Sequence, residues 1–177
     1  MPQLRRHPDS RSGAIAIEAQ AERQGEGMLA VSFIARGDLA ALILPPTAPS
    51  ARADDLWRRT CFEAFVRAEG EDGYYEFNLA PSTEWAVYRF DGYRQGMAPA
   101  GEAPRIEVRP GADAFELRAV LDLGELMAPS AAWRVGLSAV VEDAGGVSYW
   151  ALAHPAGKPD FHHPDCFALE LPATGRT

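Results

Sequence analysis

Two stretches of the sequence carry residue types able to do chemistry. The first is TCFEAFVRAEGEDGYYEFNLA (60–80). Read as strands, it puts Phe62, Ala64 and Val66 on one face and Cys61, Glu63, Phe65 and Arg67 on the other. In the run that follows, Tyr75, Phe77 and Leu79 form the apolar face, so Tyr74, Glu76 and Asn78 point the opposite way. A hairpin closing through residues 68–73 brings Glu63 opposite or diagonal to Glu76 or Asn78. Two carboxylates sharing a sheet face repel, and ask for a cation, an arginine or a hydrogen-bonding ligand; Arg67 and Arg89 are the arginine candidates. Aromatic residues stand close by: Trp57 before the hairpin, Trp85 and Tyr88 after it, and Trp150 further on. Rings that stack on the C–H face of a sugar, beside carboxylates and amides that take its hydroxyls, are what a polyol site needs. A solvated sheet face with satisfied charges, and tryptophans packed in a core, would leave the same sequence pattern.

The second stretch is HPAGKPDFHHPD (154–165), which holds three of the four histidines. It connects two apolar runs, and its three prolines stiffen it. Loops of this length without structure of their own are often functional. His162, His163, Asp160 and Asp165 are potential metal ligands, but adjacent histidines on an extended segment diverge and no zinc spacing is met, so no metal is expected. A histidine working against Glu63 or Glu76 would be acid–base chemistry, yet no nucleophile motif, phosphate loop or cofactor fingerprint accompanies it. The reading is therefore of no catalytic residue, with His154, Lys158, Asp160, His162 and His163 forming the polar rim of a binding face.

The elements that must position these residues are short period-2 runs between Gly, Pro and Asp. AIAIEAQA (14–21), LAVSFIA (29–35), LAALILP (39–45), EWAVYRF (84–90), RIEVRP (105–110), AFELRAVLDL (114–123), WRVGLSAVVED (133–143), GVSYWALA (146–153) and CFALEL (166–171) join the hairpin strands for a count of about eleven. DLGELMAP (122–129) is the single helix candidate, and PPTAPSARAD (45–54) is a loop. Turn signals this frequent predict an all-β fold, an antiparallel β-sandwich with one short helix. Residues 13–171 form the domain, with frayed ends at 1–12 and 172–177.

Composition narrows the class. The chain has 177 residues and a formal charge of −8, with no basic cluster longer than the Arg5-Arg6 and Arg58-Arg59 pairs, which argues against nucleic acid. No eighteen-residue apolar stretch predicts a membrane span, and MPQLRRHPDSRSG lacks an apolar signal core, so a cytoplasmic location is expected. In that compartment Cys61 and Cys166 are expected to be buried free thiols.

LWRRTCFEAFVRAEGEDGYYEFNLAPSTEWAVYRF together with SYWALAHPAGKPDFHHPDCFALEL resembles the DOMON-like superfamily, in the branch similar to family 9 carbohydrate-binding modules. The resemblance runs through Trp57, Glu63, Tyr74, Tyr75, Glu76, Phe77, Asn78 and Pro81. It implies a sandwich whose face binds a sugar or, in a cytochrome-like branch, haem held by a Met and a His, for which Met97 and His154 are the nearest candidates. Thr60 replaces the acidic residue often found before the strand, so no calcium site is carried over. The expectation is a non-catalytic domain for a small carbohydrate ligand, without a cofactor; a haem-binding domain or a protein-interaction domain, with a homodimer as its simplest form, stands as the alternative.

Overall fold

A computed structural model describes residues 1–10, 14–25, 27–128 and 130–173. The described residues form twelve strands: β1 (Arg5–Arg6), β2 (Ile15–Gln24), β3 (Met28–Gly37), β4 (Cys61–Ala68), β5 (Tyr74–Leu79), β6 (Trp85–Phe90), β7 (Ala98–Pro99), β8 (Arg105–Pro110), β9 (Phe115–Asp122), β10 (Trp133–Asp143), β11 (Gly146–Ala151) and β12 (Leu169–Leu171). They make two antiparallel sheets. The larger runs β1-β11-β10-β4-β5-β6-β7, with β12 also pairing with β10; the smaller runs β2-β3-β9-β8.

Alternation in β3, β4, β9 and β10 builds the core between the sheets. Leu29, Val31 and Phe33 of β3 and Leu117 and Leu121 of β9 meet Phe62 and Val66 of β4 and Val135 and Leu137 of β10, all buried. Phe62 bridges the layers, its ring 5.1 Å from Phe33 and 5.9 Å from Phe115. Each such side chain contributes roughly 1.5–3 kcal/mol by leaving water. Both cysteines are buried and free, as expected.

Four expectations are corrected. Residues 1–10 do not fray: Leu4 is buried in the core, Leu4 N–H and Ala19 N–H tie Pro2–Leu4 to β2, and Arg5–Arg6 pair with β11, so this segment laces the two sheets together. Residues 11–12 and 174–177 lie outside the described residues. LAALILP is not a strand; Leu39–Ala41 form a 3-10 turn, and the Ile43 N–H then donates to the Glu142 carbonyl. A uniformly apolar run fixes burial but not period, and here Leu39, Leu42 and Leu44 pack against the core, with an isolated antiparallel bridge from Leu42 to Asp143 in place of a strand. DLGELMAP makes a single turn in place of a helix, because Asp122 caps the Gly124 N–H and the Leu123 N–H donates to the Gly27 carbonyl. Gly27 and Gly124 pack so closely there that a Cβ on Gly27 would stand 2.7 Å from Gly124 Cα. CFALEL shortens to β12, as Pro164–Cys166 turns in 3-10 form.

Candidate functional site

The outer face of the larger sheet carries the nominated polar residues, in the register expected. Glu63 lies opposite Asn78 on one side and Ser138 on the other; Glu76 is diagonal to it, opposite Phe65 and Tyr88. This face is not solvated. Residues 152–168 fold over it, laying Phe161 and Phe167 onto Phe65, Tyr74, Phe90, Val140 and Ala151 to make a second apolar cluster. Gly136 of β10 permits the approach, since a Cβ there would stand 2.9 Å from the Cys166 carbonyl oxygen. Leu56, on the 3-10 turn Leu56–Arg58, packs into the same cluster.

Beneath this cover the polar groups satisfy one another. Asn78 Nδ2 donates to Glu76 Oε1 at 2.7 Å, and Ser138 Oγ donates to Glu63 Oε2 at 3.5 Å. Burial, then repulsion by Glu76, pushes the Glu63 carboxyl well above the ordinary range, against the Ser138 hydrogen bond. Burial also raises Glu76, opposed by the Asn78 hydrogen bond and the charge of Arg94. Arg67 and Arg89 do not fill the counterion role: Arg67 lies over the Phe167 ring and Arg89 pairs with Asp91. His162 closes the cluster from above. Its Nδ1 shares a 2.8 Å hydrogen bond with the Tyr74 hydroxyl, its Nε2 stands 3.7 Å from Glu76 Oε2, and its ring meets Phe65 and Phe90 edge-on. Burial, helped by Arg94, lowers its pKa to about 4, so the imidazole is neutral across the physiological range.

Asp160 fastens the cover. It accepts from Tyr93 Oη, from Arg94 at 2.7 Å and from the His162 N–H at 3.1 Å. Burial alone would raise Asp160, but these bonds and the Arg94 charge outweigh it and hold the carboxylate below its usual value. Arg94 in turn donates its own N–H to the Tyr74 hydroxyl. Sequence reasoning missed Tyr93 and Arg94; the signal was DGYRQG, a tight turn in which Arg94 and Gly96 take positive φ.

Where the buried cluster reaches the surface, an open cleft of about 310 Å³ lies between the β4–β5 loop, the turn after β6 and the cover. Tyr93 supplies an exposed ring, with the edges of Tyr74, His162 and Phe167 behind it, and Arg67, Asp72, Asp91 and Gln95 supply polar groups.

The remaining nominations scatter. Trp57 is 48 % exposed on its turn, with Arg58 above the ring. Trp150 and Trp85 belong to the other face: Trp150 is buried between the sheets, its indole N–H donating to Ser148, and Trp85 lies opposite Leu79 and packs on the same core. The alternation of EWAVYRF and GVSYWALA turns those rings inward, so neither lines a face with Glu76. His154 is structural, its Nε2 donating to the Arg5 carbonyl and its ring edge-on to His7. Lys158 is exposed, and His163 caps the Pro164–Cys166 turn by accepting from the Asp165 N–H. Met97 and His154 cannot ligate one haem in this fold, because Met97 precedes β7 and His154 touches β1, the opposite edges of the larger sheet. Among the described residues no group of three or more His, Cys, Asp or Glu is placed to hold a metal ion. No described helix is long and apolar enough to cross a membrane.

With this geometry in hand, solved structures offer a comparison. A candidate carbohydrate-binding protein from Bacteroides uniformis superposes with a TM-score of 0.69 at 13 % identity, over 86 % of this chain and 76 % of that one. The sandwich is similar to carbohydrate-binding modules. A family 9 module from Caldicellulosiruptor kristjanssonii in complex with glucose matches with a TM-score of 0.54 at 13 % identity, over 95 % and 81 % of the two chains. A family 9 module from the same organism in complex with cellotriose matches with a TM-score of 0.50 at 12 % identity, over 84 % and 70 %. No protein-family model matches the chain, and no curated protein matches it by sequence.

Proposed function

We propose that this protein is a non-catalytic, DOMON-like domain that binds a sugar or sugar derivative in the cleft beside Tyr74, His162 and Phe167. The observation that carries the reading is the composition of that cleft: the exposed Tyr93 ring, with the edges of Tyr74, His162 and Phe167 behind it, set among side chains that offer both donors (Arg67, Gln95) and acceptors (Asp72, Asp91) at an open edge. Hydroxyl groups need both, and the C–H face of a pyranose needs the rings. Fold likeness to modules solved with glucose and with cellotriose supports the choice of ligand class. Glu63 and Glu76 then act indirectly. Sealed under the cover, they hold the cleft wall in place without touching the ligand. Neither carboxylate has the solvent access that acid–base work on a substrate demands, which favours binding over catalysis.

The test is calorimetric titration of the protein with glucose, cellotriose, amino sugars and uronic acids, repeated on Asp91→Asn and Arg67→Ala. One sugar class is expected to bind, and each substitution to weaken it by roughly tenfold, the loss of one or two hydrogen bonds. Absence of binding across the panel, or unchanged affinity in both variants, would overturn the reading.

A further inference from the structure

One ring of the cleft is exposed without being free. Tyr93 stands on the turn after β6 and is 50 % exposed, so it offers the cleft an open ring surface. Exposed side chains ordinarily hop between rotamers within nanoseconds. This one is tethered: its hydroxyl donates to Asp160 Oδ2, 67 residues further along the chain, and His163 meets the ring edge-on at 6.3 Å. The turn that carries it is fixed as well. The Asp91 N–H donates to the Gln95 carbonyl and the Gln95 N–H to the Gly92 carbonyl, and Gly96 takes a φ of +66°, where a Cβ would stand 2.1 Å from Asp91 Oδ2.

Asp160 joins this ring to the groups beneath the cover. Its Oδ1 accepts from Arg94 at 2.7 Å and from the His162 N–H at 3.1 Å, while Oδ2 takes the Tyr93 hydroxyl. The Arg94 N–H donates to the Tyr74 hydroxyl at 3.2 Å, which leaves the Tyr74 proton for His162 Nδ1 at 2.8 Å. The neutral imidazole then carries its own proton on Nε2, 3.7 Å from Glu76 Oε2. Asp160, His162, Tyr74 and Arg94 thus close a circuit of hydrogen bonds, with Tyr93 attached on the cleft side and Glu76 on the buried side. A carboxylate needed only to fasten the cover has Arg94 and the His162 N–H for that purpose. Its further bond goes to a half-exposed phenol, where it adds little stability but fixes where the ring stands.

We propose that Asp160 is a positioning residue for ligand binding: it holds the Tyr93 ring as the stacking platform of the cleft, and through the same carboxylate it couples an occupied cleft to the closed cover. The proposal rests on the reading of that cleft as a sugar site. A ring held in one rotamer before the sugar arrives has little rotamer freedom left to lose on binding, an advantage of roughly two- to tenfold in affinity. Linkage makes the effect reciprocal, so a sugar stacked on Tyr93 steadies residues 160–167 in turn.

The first test needs no ligand. Three-bond side-chain couplings at position 93 are expected to report a single χ1 rotamer in the wild-type protein and an average over several in Tyr93→Phe and in Asp160→Ala. A single rotamer kept in Tyr93→Phe would overturn the positioning role. Calorimetric titration with glucose and with cellotriose follows, with affinity expected to fall roughly two- to tenfold in Tyr93→Phe and about tenfold in Tyr93→Ala. Because both changes cut the same bond, Tyr93→Phe combined with Asp160→Ala should bind no worse than Asp160→Ala alone. Additive losses would overturn the link, since an Asp160 that served only the cover would weaken binding by a separate route. The sugar that binds should also slow hydrogen exchange at residues 160–167 in wild type and not in Tyr93→Phe; equal slowing in both would overturn the coupling. If neither sugar binds the wild-type protein, the sugar reading of the cleft falls, and the couplings at position 93 still decide whether Asp160 positions the ring.

Discussion

The two outer faces of this sandwich began as similar alternating patterns and ended in opposite environments. On the smaller sheet the outward positions of β2, β8 and β9 are Gln, Glu and Arg with a few small apolar residues, and they stay open. On the larger sheet the outward positions mix Phe65, Tyr74, Tyr88 and Phe90 with Glu63, Glu76 and Asn78, and they are buried. The difference is a third layer: residues 152–168, which bring Phe161 and Phe167 to a face that already holds rings. Carboxylates beneath such a layer lose water, and their proton affinity rises; those on the open face keep water, and Glu107 and Glu116 have arginine partners as well.

The sharpest way to break this contrast is to remove the layer's anchor. Phe167→Ala is expected to cost about 3–5 kcal/mol in urea denaturation, as for other large-to-small changes in a packed core. Gln20→Ala on the open face should stay within about 0.5 kcal/mol. Equal costs would mean that the cover is not a folded layer. Gly136→Ala comes next, at about 1–3 kcal/mol, because its methyl group would meet backbone at the Cys166 carbonyl rather than a side chain able to swing aside.

A third expectation concerns pH. Glu63 and Glu76 have raised folded pKa values, so the stability tied to their protonation is complete below the ordinary value of 4.5 and is lost as pH rises through the folded values. His162 runs the other way: its contribution is complete above 6.5 and lost as pH falls towards about 4. Burial lowers His154 as well, adding to the acid-side loss. A melting profile against pH should therefore fall on both sides of a maximum. Glu63→Gln flattens the alkaline side, and His162→Phe flattens part of the acid side while costing about 1 kcal/mol at neutral pH through the lost Tyr74 hydrogen bond. An alkaline limb unchanged in Glu63→Gln would show that Glu63 is not what titrates there.

Much of this was legible in the chain. The hairpin from Cys61 to Leu79, its inward and outward sets, and the meeting of Glu63 with Asn78 follow from period 2 and a Gly-containing turn, both local signals. The two-sheet sandwich follows from strand length and spacing. Less local features were hidden. Trp85 and Trp150 had the residue type for stacking, but residue type does not reveal which face of a strand meets the second sheet, and both rings point inward. HPAGKPDFHHPD looked like a rim because it is polar, whereas Phe161 and the flanking Phe167 decide its place by burying themselves. Tyr93 and Arg94 became visible only once the turn after β6 and the cover, more than sixty residues apart, were seen side by side.

That last contact carries the smallest expected effect and the most specific one. Asp160 takes hydrogen bonds from Tyr93, Arg94 and the His162 N–H, and its side chain is 18 % exposed, so solvent screens part of the pairing. Asp160→Asn keeps the shape and removes the charge; the global cost should be about 1 kcal/mol, less than for Phe167→Ala. Its signature is local. Arg94 loses its partner, the cover loosens over His162, and hydrogen exchange at residues 160–167 should speed up while β10 and β4 stay protected. Because Asp160 is held below its usual 3.8, its contribution is complete above that value and lost as pH falls through the lowered one, so wild type should approach the variant only in acid. If exchange speeds up equally across the larger sheet, the cover and its sheet open as one unit. If it speeds up in the cover alone, the third layer is a separable latch on the cleft, a device that the open outer face of the smaller sheet does not share among the described residues.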